Sequence, residues 1–384
     1  MSCLVEITSL AHGGHGVARV DGQVCFVANG LPGDVVHLRI TRRAKKALWA
    51  EIEEVLSPSP DRIEPACPCF GTCGGCNWLH FAYPAQAQWK RRIVSDCIER
   101  IAGLDIETAW AEDPLLRTSY RTRARFQVDG DRVGFYETGT HNVVDAAACP
   151  LCHDNLNAAL QRVRDAKPVE PVEVVVNPEG GEVLVWTHHF HKGLRKAFRL
   201  YGWRSKGGRA KQFLFDGVPV VNGVFSQSSL LLNRLLLQTV RNVAGKPRSV
   251  LDLYCGAGNL SLEFAKSAEV LGLDVSVSAV KAASALGLGA YRVGDEAAFR
   301  ESLGLRHWDL VLLDPPRAGA KPIVQALSEA DADCLVYVSC DPATLSRDLK
   351  TLSVANWCIQ RATALDLFPN TAHVESVVCL TRVS

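Results

Sequence analysis

Cys340 and Glu375 are two side chains whose types and positions could do covalent chemistry. Cys340 ends the predicted strand "LVYVSC", where Asp341-Pro342 stop the β-pattern. A thiol at the end of a strand is placed to meet a ligand, whereas an inert cysteine is usually buried inside a core. Glu375 lies within the apolar strand "HVESVV", where burial of a carboxylate is costly. We expect a nucleophile and a base; the structural alternatives are a buried cysteine and an edge-strand surface glutamate.

A thiol and a base together suit the methylation of a uracil ring at carbon 5. That carbon is a weak nucleophile, but a thiolate that adds to carbon 6 converts the ring to an enolate, and carbon 5 then attacks a methyl donor. The base afterwards removes the carbon-5 proton so that the thiol can leave. The "DPP" of "LLDPPRAG" is similar to the motif of enzymes that methylate exocyclic amines. Arg317 replaces their stacking aromatic residue, which argues against that reaction.

A glycine-rich turn follows a predicted buried strand in "VLDLYCGAGNLSL" and indicates a site for S-adenosylmethionine. Gly256 and Gly258 let the backbone bend tightly and approach a ligand, but the third glycine of the dinucleotide fingerprint is absent. Asp252 suits the ammonium group of S-adenosylmethionine better than a pyrophosphate. Asp274 ends the next strand, where a carboxylate can accept hydrogen bonds from both ribose hydroxyls. Gly294-Asp295 follows the third strand, a usual place for adenine recognition. The alternative is a structural turn in another α/β fold.

Fourteen cysteines are many for a chain without a recognisable secretion signal, because disulfides seldom persist in the cytosol. We expect a cytoplasmic protein in which some cysteines bind a metal. Three of them, Cys67, Cys73 and Cys76, are separated by five and by two residues. The two residues between Cys73 and Cys76 are glycines, which let the chain wrap a metal. Cys149 or Cys152 could supply a fourth thiolate, and Cys69 is an extra candidate. Four thiolates suit zinc or an iron–sulfur cluster, and the spacing alone slightly favours zinc.

The pattern of strands and helices predicts three domains that position these residues. Residues 1–58 contain five short alternating strands with turn signals, which is typical of a small β-barrel of the oligonucleotide-binding type. Residues 59–221, which begin in a Pro-rich linker, form a β-rich central domain that carries the cysteines. In residues 222–384 apolar strands alternate with helices, which predicts a doubly wound, mostly parallel α/β sheet. Ligands of such sheets bind at the carboxyl ends of the strands, so Asp314 should face the same crevice as Cys340.

Local clusters of basic residues indicate RNA binding although the net charge is only +1. Eight lysines and arginines and no acid occur in residues 188–215: Lys192, Arg195, Lys196, Arg199, Arg204, Lys206, Arg209 and Lys211. We expect these residues, the "RRAKK" loop (Arg42–Lys46) and Arg121, Arg123 and Arg125 to hold an RNA backbone. The alternative for the "RRAKK" loop is a solvated surface. No apolar run is long enough to cross a membrane, so we expect no membrane partner.

Four motifs, in order, resemble the RNA uracil-5-methyltransferase family over nearly the whole chain: "VLDLYCGAGN", "LLDPPRAG", "VYVSCDPATLSRDL" and "HVESVV". The likeness is greatest to the 23S ribosomal RNA branch. The barrel is similar to that family's TRAM domain and "CPCFGTCGGC" to its iron–sulfur motif. The resemblance implies a Rossmann-like S-adenosylmethionine methyltransferase domain with Cys340 as nucleophile and Glu375 as base. It also implies a 4Fe–4S cluster rather than zinc, with Cys149 as fourth ligand because a proline follows it.

The resemblance further implies six contacts to S-adenosylmethionine: Gln227, Tyr254, Asn259, Asp274, Asp295 and Asp314. Tyr254 stands where the family often has Phe, and Asp341 where it usually has Asn. The segment between Asp274 and Gly294 is short and lacks the family's usual Asn-containing helix.

We expect ribosomal RNA as the substrate rather than transfer RNA, because the barrel and the cysteine motif occur together. A monomer is expected, since one chain carries every part. Three alternatives stay open. The first two are a transfer RNA uracil-5 enzyme and an RNA cytosine-5 methyltransferase, which usually needs a second cysteine. The third is a metal-stabilised RNA-binding protein without catalysis.

Overall fold

The N-terminal residues form a sheet with its own core. The computed structural model describes residues 2–382 of the chain. The first sheet has six strands: β1 (Ser2–Glu6), β2 (Ser9–Leu10), β3 (Gly16–Val20), β4 (Gln23–Ala28), β5 (Val35–Arg43) and β6 (Ala47–Ser57). Asp21 and Gly22, with φ of 52° and 79°, form the turn between β3 and β4. The apolar faces enclose a core that includes Val36 and Leu38, which confirms the predicted N-terminal domain; β2 is the strand that the pattern missed.

The linker after β6 is tied to the barrel by a buried ion pair. Arg62 Nη2 lies 2.5 Å from Oδ2 of Asp34, whose side chain is fully buried. Asp34 also accepts hydrogen bonds from the main-chain N–H groups of Leu31 (2.7 Å) and Ser59 (2.8 Å). The Pro-rich segment after β6 is therefore held against the N-terminal sheet by the contacts of Ser59 and Arg62 with Asp34.

A helix and a strand follow the cysteine-rich loop: α1 (Tyr83–Cys97), which continues through the π-helical turn Ile98–Ala102, and β7 (Thr108–Ala111). Pro84 occupies the first turn of α1, where its missing N–H costs no hydrogen bond. The helix buries Ile93 and Val94 on one face.

The central region contains a six-stranded sheet and a separate hairpin. The sheet strands are, in chain order, β8 (Arg123–Asp129), β9 (Arg132–Tyr136), β10 (Val143–Asp145), β11 (Val172–Val176), β12 (Val183–Thr187) and β13 (Leu200–Trp203). The hairpin consists of β14 (Gln212–Phe215) and β15 (Val218–Val221), and the helices are α2 (Asp154–Asp165) and α3 (Lys192–Ala197). Leu156, Leu160 and Val163 recur at helical spacing and pack α2 against the sheet core.

The C-terminal region is the predicted doubly wound unit. Its elements are α4 (Leu230–Ala244), β16 (Ser249–Leu253), β17 (Glu269–Asp274), α5 (Val277–Ser284), β18 (Ala290–Val293), α6 (Glu296–Gly304), β19 (Trp308–Leu313), α7 (Val324–Glu329), β20 (Ala332–Ser339), α8 (Pro342–Val354), β21 (Trp357–Leu365) and β22 (Glu375–Arg382). Strands β16 to β20 are parallel, and β22 runs antiparallel between β20 and β21. Residues 260–267, which follow the glycine-rich turn, are a series of turns that includes the 3-10 turn Phe264–Lys266 and not a regular helix.

The C-terminal sheet also includes an element from much earlier in the chain. Its strand order is β18-β17-β16-β19-β20-β22-β21-β7, and β7 pairs in parallel with β21. Helix α1 packs against α8 and β21 of the same unit. The structure thus places α1 and β7, which the sequence assigned to residues 59–221, on the sheet of the C-terminal unit. None of the helices in residues 2–382 is both long and apolar enough to cross a bilayer.

Candidate active site

The thiol of Cys340 and the carboxyl of Glu375 are brought together by two antiparallel strands. Cys340 directly follows β20, and Glu375 is the first residue of β22. Ser339 pairs with Ser376 across these strands, so the next step in register sets Cys340 against Glu375. The carboxyl ends of β16 and β19 lie at the same edge, since both run parallel to β20 or its neighbour. The predicted nucleophile and base therefore share one edge with the glycine-rich turn.

Burial and two neighbouring carboxyls make the thiol of Cys340 harder to ionise. Burial raises the pKa of Cys340 to about 11, the charges of Glu375 and Asp314 add to this, and Arg317 opposes it. Glu375 is 2% exposed, and burial together with the charge of Asp314 raises the pKa of Glu375 above its ordinary value. Arg317 is thus the cation that favours the reactive thiolate.

Asp314 and Arg317 lie in the turn that follows β19. Asp314 is half-buried, and burial raises the pKa of its carboxyl to about 7. Arg317 is exposed, and its main-chain carbonyl accepts a hydrogen bond from Thr344 Oγ1 of α8 (3.1 Å). This contact joins the turn after β19 to the helix that begins beside Cys340.

Asp341 caps the helix that follows the thiol. Its Oδ1 accepts hydrogen bonds from the main-chain N–H groups of Ala343 (3.0 Å) and Thr344 (2.9 Å), at the start of α8. A carboxylate is favourable at a helix N-terminus, both as a cap and against the helix dipole. The acid that stands in place of the family's usual Asn therefore fixes the backbone next to Cys340.

The glycine-rich turn after β16 leaves space beside its backbone. Gly256 has φ of 53°, and a Cβ there would meet no atom within 4 Å. Gly258, with φ of 84°, has no such room, because its Cβ would lie 2.7 Å from Cγ of Leu262. Asp274 holds the turn, since its Oδ2 accepts from the N–H of Gly256 (2.9 Å) and its Oδ1 from that of Ser276 (2.7 Å). The turn therefore forms a cradle: Asp274 holds its backbone, and the space beside Gly256 is open to a ligand.

Several predicted cofactor residues also have structural partners. Asn259 and Asn233 exchange two amide hydrogen bonds of 2.8 and 3.0 Å. The ring of Tyr254 packs edge-on against Phe299, with centroids 4.8 Å apart. Asp295 Oδ1 caps α6, as shown by its hydrogen bonds to two N–H groups of the first turn. Motif reading missed Asn233, because its partner lies on a different element and no local spacing marks it.

Gln227 and Asp252 are both buried, with different consequences. Gln227 is 8% exposed in the turn before α4. Asp252 is fully buried inside β16, and burial raises the pKa of its carboxyl to about 8. The contact of Asp252 with the ammonium group of S-adenosylmethionine stays a prediction. Both of its oxygens lack a hydrogen-bond partner within the described structure.

A small cavity contains the cysteine motif. Its lining includes five cysteines and one arginine: Cys67, Cys69, Cys73, Cys76, Cys149 and Arg121. Cys152 is buried behind this lining, and its hydrogen bond lowers the pKa of Cys149 to about 6. Asn157 fixes the second cysteine segment, because its Oδ1 accepts from the N–H of Cys149 (2.9 Å). The structure therefore brings the predicted four ligands to one cavity, with Cys149 rather than Cys152 on its surface.

Outside the cysteine cavity, one set of side chains has the spacing of metal ligands. In the described part of the chain, one set of three metal-capable side chains has all its ligand atoms within 4.8 Å of one another: His307, Asp309 and Asp333. These residues lie at the amino ends of β19 and β20, at the opposite edge of the sheet from Cys340. No three cysteine sulfurs of residues 2–382 meet that distance.

The basic residues divide into exposed and internal groups. All eight cations of residues 188–215 are exposed, and none forms an ion pair within residues 2–382. Arg121 instead lines the cysteine cavity, and Arg123 pairs with Glu173 (3.1 Å) and donates to Ser226 O (2.9 Å). Both guanidinium groups therefore make contacts within the protein, and their contact with RNA stays a prediction. Arg125 is exposed, as expected.

The "RRAKK" segment spans the β5–β6 hairpin rather than lying in one loop. Arg42 and Arg43 end β5, and Ala44–Lys46 form the turn. Arg42 stacks over Trp49 at 4.5 Å from the ring centroid, and the whole segment is exposed. The planar guanidinium of Arg42, held against the ring of Trp49, presents hydrogen-bond donors beside the β5–β6 turn.

Three protein-family models match the chain. The TRAM domain matches residues 3–52, the methyltransferase small domain residues 218–336, and tRNA (Uracil-5-)-methyltransferase residues 301–383. The three matches follow the order of the barrel, the glycine-rich turn and the thiol edge.

Relatives match the chain from end to end. The 23S rRNA (uracil(1939)-C(5))-methyltransferase RlmD of Thiobacillus denitrificans is 32% identical, with 100% of both chains covered. RlmD of Chromohalobacter salexigens is also 32% identical, over 98% of this chain and 89% of its own. The crystal structure of Pyrococcus abyssi tRNA (uracil-54, C5)-methyltransferase in complex with S-adenosyl-L-homocysteine shares the fold, with a TM-score of 0.77, 24% identity and coverage of 99% and 100%. The full-length identity shows that this chain belongs to the RNA uracil-5-methyltransferase family.

Proposed function

We propose that the chain carries out its family's reaction, S-adenosylmethionine-dependent methylation of carbon 5 of a uridine in RNA, through a transient bond between Cys340 and carbon 6. The observation that carries this proposal is the pairing of β20 with β22, which sets the thiol beside a buried carboxyl. The intact Cys340, Glu375 and glycine-rich turn also support an enzyme over an RNA-binding protein without catalysis.

Each residue at the edge has a distinct task in this proposal. Arg317 lowers the pKa of Cys340 against the effect of burial, which favours the thiolate that adds to carbon 6. S-adenosylmethionine supplies an electrophilic methyl group when bound. Glu375 then removes the carbon-5 proton, the ring double bond forms again, and the Cys340 thiolate leaves. The target uridine must be turned out of its stack to reach these groups, which is easiest in a loop.

The cradle around Gly256 fits S-adenosylmethionine. Open space beside Gly256 lets a ligand approach the backbone. Each oxygen of Asp274 accepts one main-chain hydrogen bond and keeps a lone pair for a ribose hydroxyl. Asp314, half-buried at the same edge, is placed to meet the cationic end of the ligand. Gln227, Tyr254, Asn259 and Asp295 complete the proposed set.

We propose a 4Fe–4S cluster held by four cysteines: Cys67, Cys73, Cys76 and Cys149. The resemblance of "CPCFGTCGGC" to the family's iron–sulfur motif supports a cluster over zinc, and four thiolates at one cavity suit such a cluster. Burial raises the pKa of Cys76 to about 12, so binding must remove protons from poorly ionised thiols.

The proposed substrate is 23S ribosomal RNA. The proposed target is the uridine that corresponds to uracil 1939, the position given in the names of the relatives. The full-length relatives carry that activity in their names, at 32% identity, whereas the transfer RNA enzyme is 24% identical. Mass mapping of 5-methyluridine in both RNA classes, from cells with and without this chain, tests the choice. Loss of the modification from transfer RNA alone would contradict it.

A suicide substrate tests the covalent step. RNA that contains 5-fluorouridine cannot lose a proton from carbon 5, so a methylated adduct should persist on a denaturing gel. Cys340→Ala should form none, while Cys358→Ala, which removes an exposed cysteine far from the catalytic edge, should react as the unaltered protein does. An adduct on the Cys340→Ala protein would refute the mechanism.

A further inference from the structure

Three distant segments of the chain meet at Gly14. Gly14 lies in the turn before β3 with φ of 86°, and a Cβ there would lie 2.4 Å from Cβ of Ala372 and 2.8 Å from Nδ2 of Asn77. The first neighbour precedes Glu375 and the second follows the last cysteine of the "CGGC" motif. The barrel, the cysteine loop and the approach to the base are therefore in direct contact.

The amide of Asn77 joins all three segments. Its Oδ1 accepts the main-chain N–H of Ala372 (2.8 Å), and its Nδ2 donates to the carbonyl of Gly13 (3.4 Å). The neighbouring Trp78 repeats the pattern. Its main-chain N–H donates to the carbonyl of Asn370 (3.1 Å) and its Nε1 to that of Gly14 (3.2 Å).

The segment that leads to Glu375 is anchored at both ends. At its start, Lys90 Nζ donates to Asp366 Oδ1 (2.7 Å) and to the carbonyl of Phe368 (2.9 Å). Ala372, at the other end, stands three residues before Glu375 and is 6% exposed. The bond from Ala372 to Asn77 is therefore an anchor close to the base, with only His373 and Val374 between Ala372 and Glu375.

We propose that Asn77 is a positioning residue for Glu375, a role that rests on the proposed function of that carboxyl. Its Oδ1 sets the backbone of residues 370–374 so that the carboxylate reaches the carbon-5 proton. The same amide donates a hydrogen bond to the carbonyl of Gly13 in the barrel. Asn77 therefore sets the position of the barrel and that of Glu375 together.

The step that depends on Asn77 is the last one. A Glu375 oxygen takes the proton from carbon 5, the electrons of that C–H bond form the carbon 5–carbon 6 double bond, and the bond from carbon 6 to Sγ of Cys340 breaks. The sulfur leaves as thiolate and the proton stays on Glu375. A displaced Glu375 slows this step without blocking thiol addition or methyl transfer, so the methylated adduct accumulates.

Two substitutions separate the contacts of Asn77. Asn77→Ala removes both, whereas Asn77→Asp keeps the oxygen that accepts from Ala372 and loses the donor to Gly13. With ordinary uridine-containing RNA and S-adenosylmethionine in a single turnover, we expect Asn77→Ala to release product about tenfold or more slowly and to accumulate methylated protein–RNA adduct. Asn77→Asp should restore release to within about threefold. Asn242→Ala, an exposed asparagine on α4, is the matched control.

The outcomes distinguish this proposal from the function on which it rests. If the unaltered protein forms neither product nor a Cys340-dependent adduct, the proposed function fails. If the unaltered protein turns over, and Asn77→Ala releases product at the same rate and accumulates no more adduct than the unaltered protein does, only the role of Asn77 is overturned. Should Asn77→Ala not fold, Asn77→Ser, whose shorter side chain withdraws the oxygen from the N–H of Ala372, takes its place: accumulated adduct supports the role of the oxygen, and unchanged release overturns it.

Discussion

Glu375 and Asp314 lie at the same edge of the sheet as Cys340, and the charge of Asp314 makes Glu375 harder to ionise. Burial and the charge of Asp314 raise the pKa of Glu375, and burial raises the pKa of Asp314 to about 7. A base must be free of its proton before it can accept one. A cation beside these carboxyls, such as the methyl donor, lowers both pKa values. Binding of the cationic donor therefore favours the ionised form of Glu375, the form that can act as a base.

Arg317→Gln should slow adduct formation near neutral pH. The arginine lowers the pKa of Cys340, which burial has raised to about 11, so its loss raises that pKa further. The thiolate fraction then falls, and trapping by 5-fluorouridine RNA at pH 7.5 should drop about three- to tenfold. The rate should rise with pH in both proteins, with the rise of the variant displaced to higher pH. Lys350→Gln, which removes an exposed cation from α8, is the control; an undisplaced profile would contradict the role of Arg317.

Cys76→Ser should lose the metal, and Cys69→Ser should keep it. Cys76 is one of the four proposed ligands, whereas Cys69 also lines the cavity but lies outside that set. Anaerobic purification followed by iron, sulfide and zinc analysis measures the difference. Stoichiometric zinc without sulfide in the unaltered protein would contradict the cluster. Equal iron loss in both variants would show that Cys69 is a ligand.

Removing charge from the exposed basic segment should weaken RNA binding in a salt-dependent way. Arg209 and Lys211 are exposed cations without an ion pair in the described structure. The double change Arg209→Gln/Lys211→Gln should reduce the slope of log affinity against log salt by about 1 to 2. Lys246→Gln/Lys266→Gln, which removes two exposed cations near the amino ends of β16 and β17, should leave the slope unchanged. Equal slopes for the two double variants would argue against this surface.

Asp34→Ala should destabilise the barrel by about 3 kcal/mol, because it leaves Arg62 without its buried partner. Burial raises the pKa of Asp34, but hydrogen bonds from Arg62, Ser59 and Leu31 outweigh it, and the net pKa is lowered. A carboxyl with a lowered pKa stabilises the fold above its unfolded pKa and loses that effect as the pH falls through its folded pKa. Thermal unfolding should therefore separate the two proteins at pH 7 and bring them closer in acid, below about pH 4. A difference independent of pH would show that packing, not the ion pair, is responsible.

The sequence predicted the fold and the residues at the thiol edge because their signals are local. Alternating and apolar strands, the break at Asp341-Pro342 and the glycines at 256 and 258 each reflect the backbone conformation of their own segment. Parallel strands then bring their carboxyl ends together, which is why Asp314 and Cys340 share an edge as expected.

Contacts between distant segments could not be predicted in this way. Asn77 and Asn233 act through partners on other elements, and nothing in their own neighbourhoods marks them. Arg123 begins β8 and Arg121 lies two residues before it, and this local spacing does not show which distant segments cover the two side chains. Asp295 was assigned to the cofactor alone, although its position before α6 makes it a helix cap as well.

The parallel pairing of β7 with β21 has a consequence for synthesis of the chain on the ribosome. Residue 108 is synthesised 254 residues before its partner, residue 362. Until β21 has been made, β7 has no neighbouring strand to pair with, and a nascent chain that stops before β21 cannot complete the sheet. The outer border of the C-terminal sheet can therefore close only after the ribosome has added a segment distant in sequence from β7.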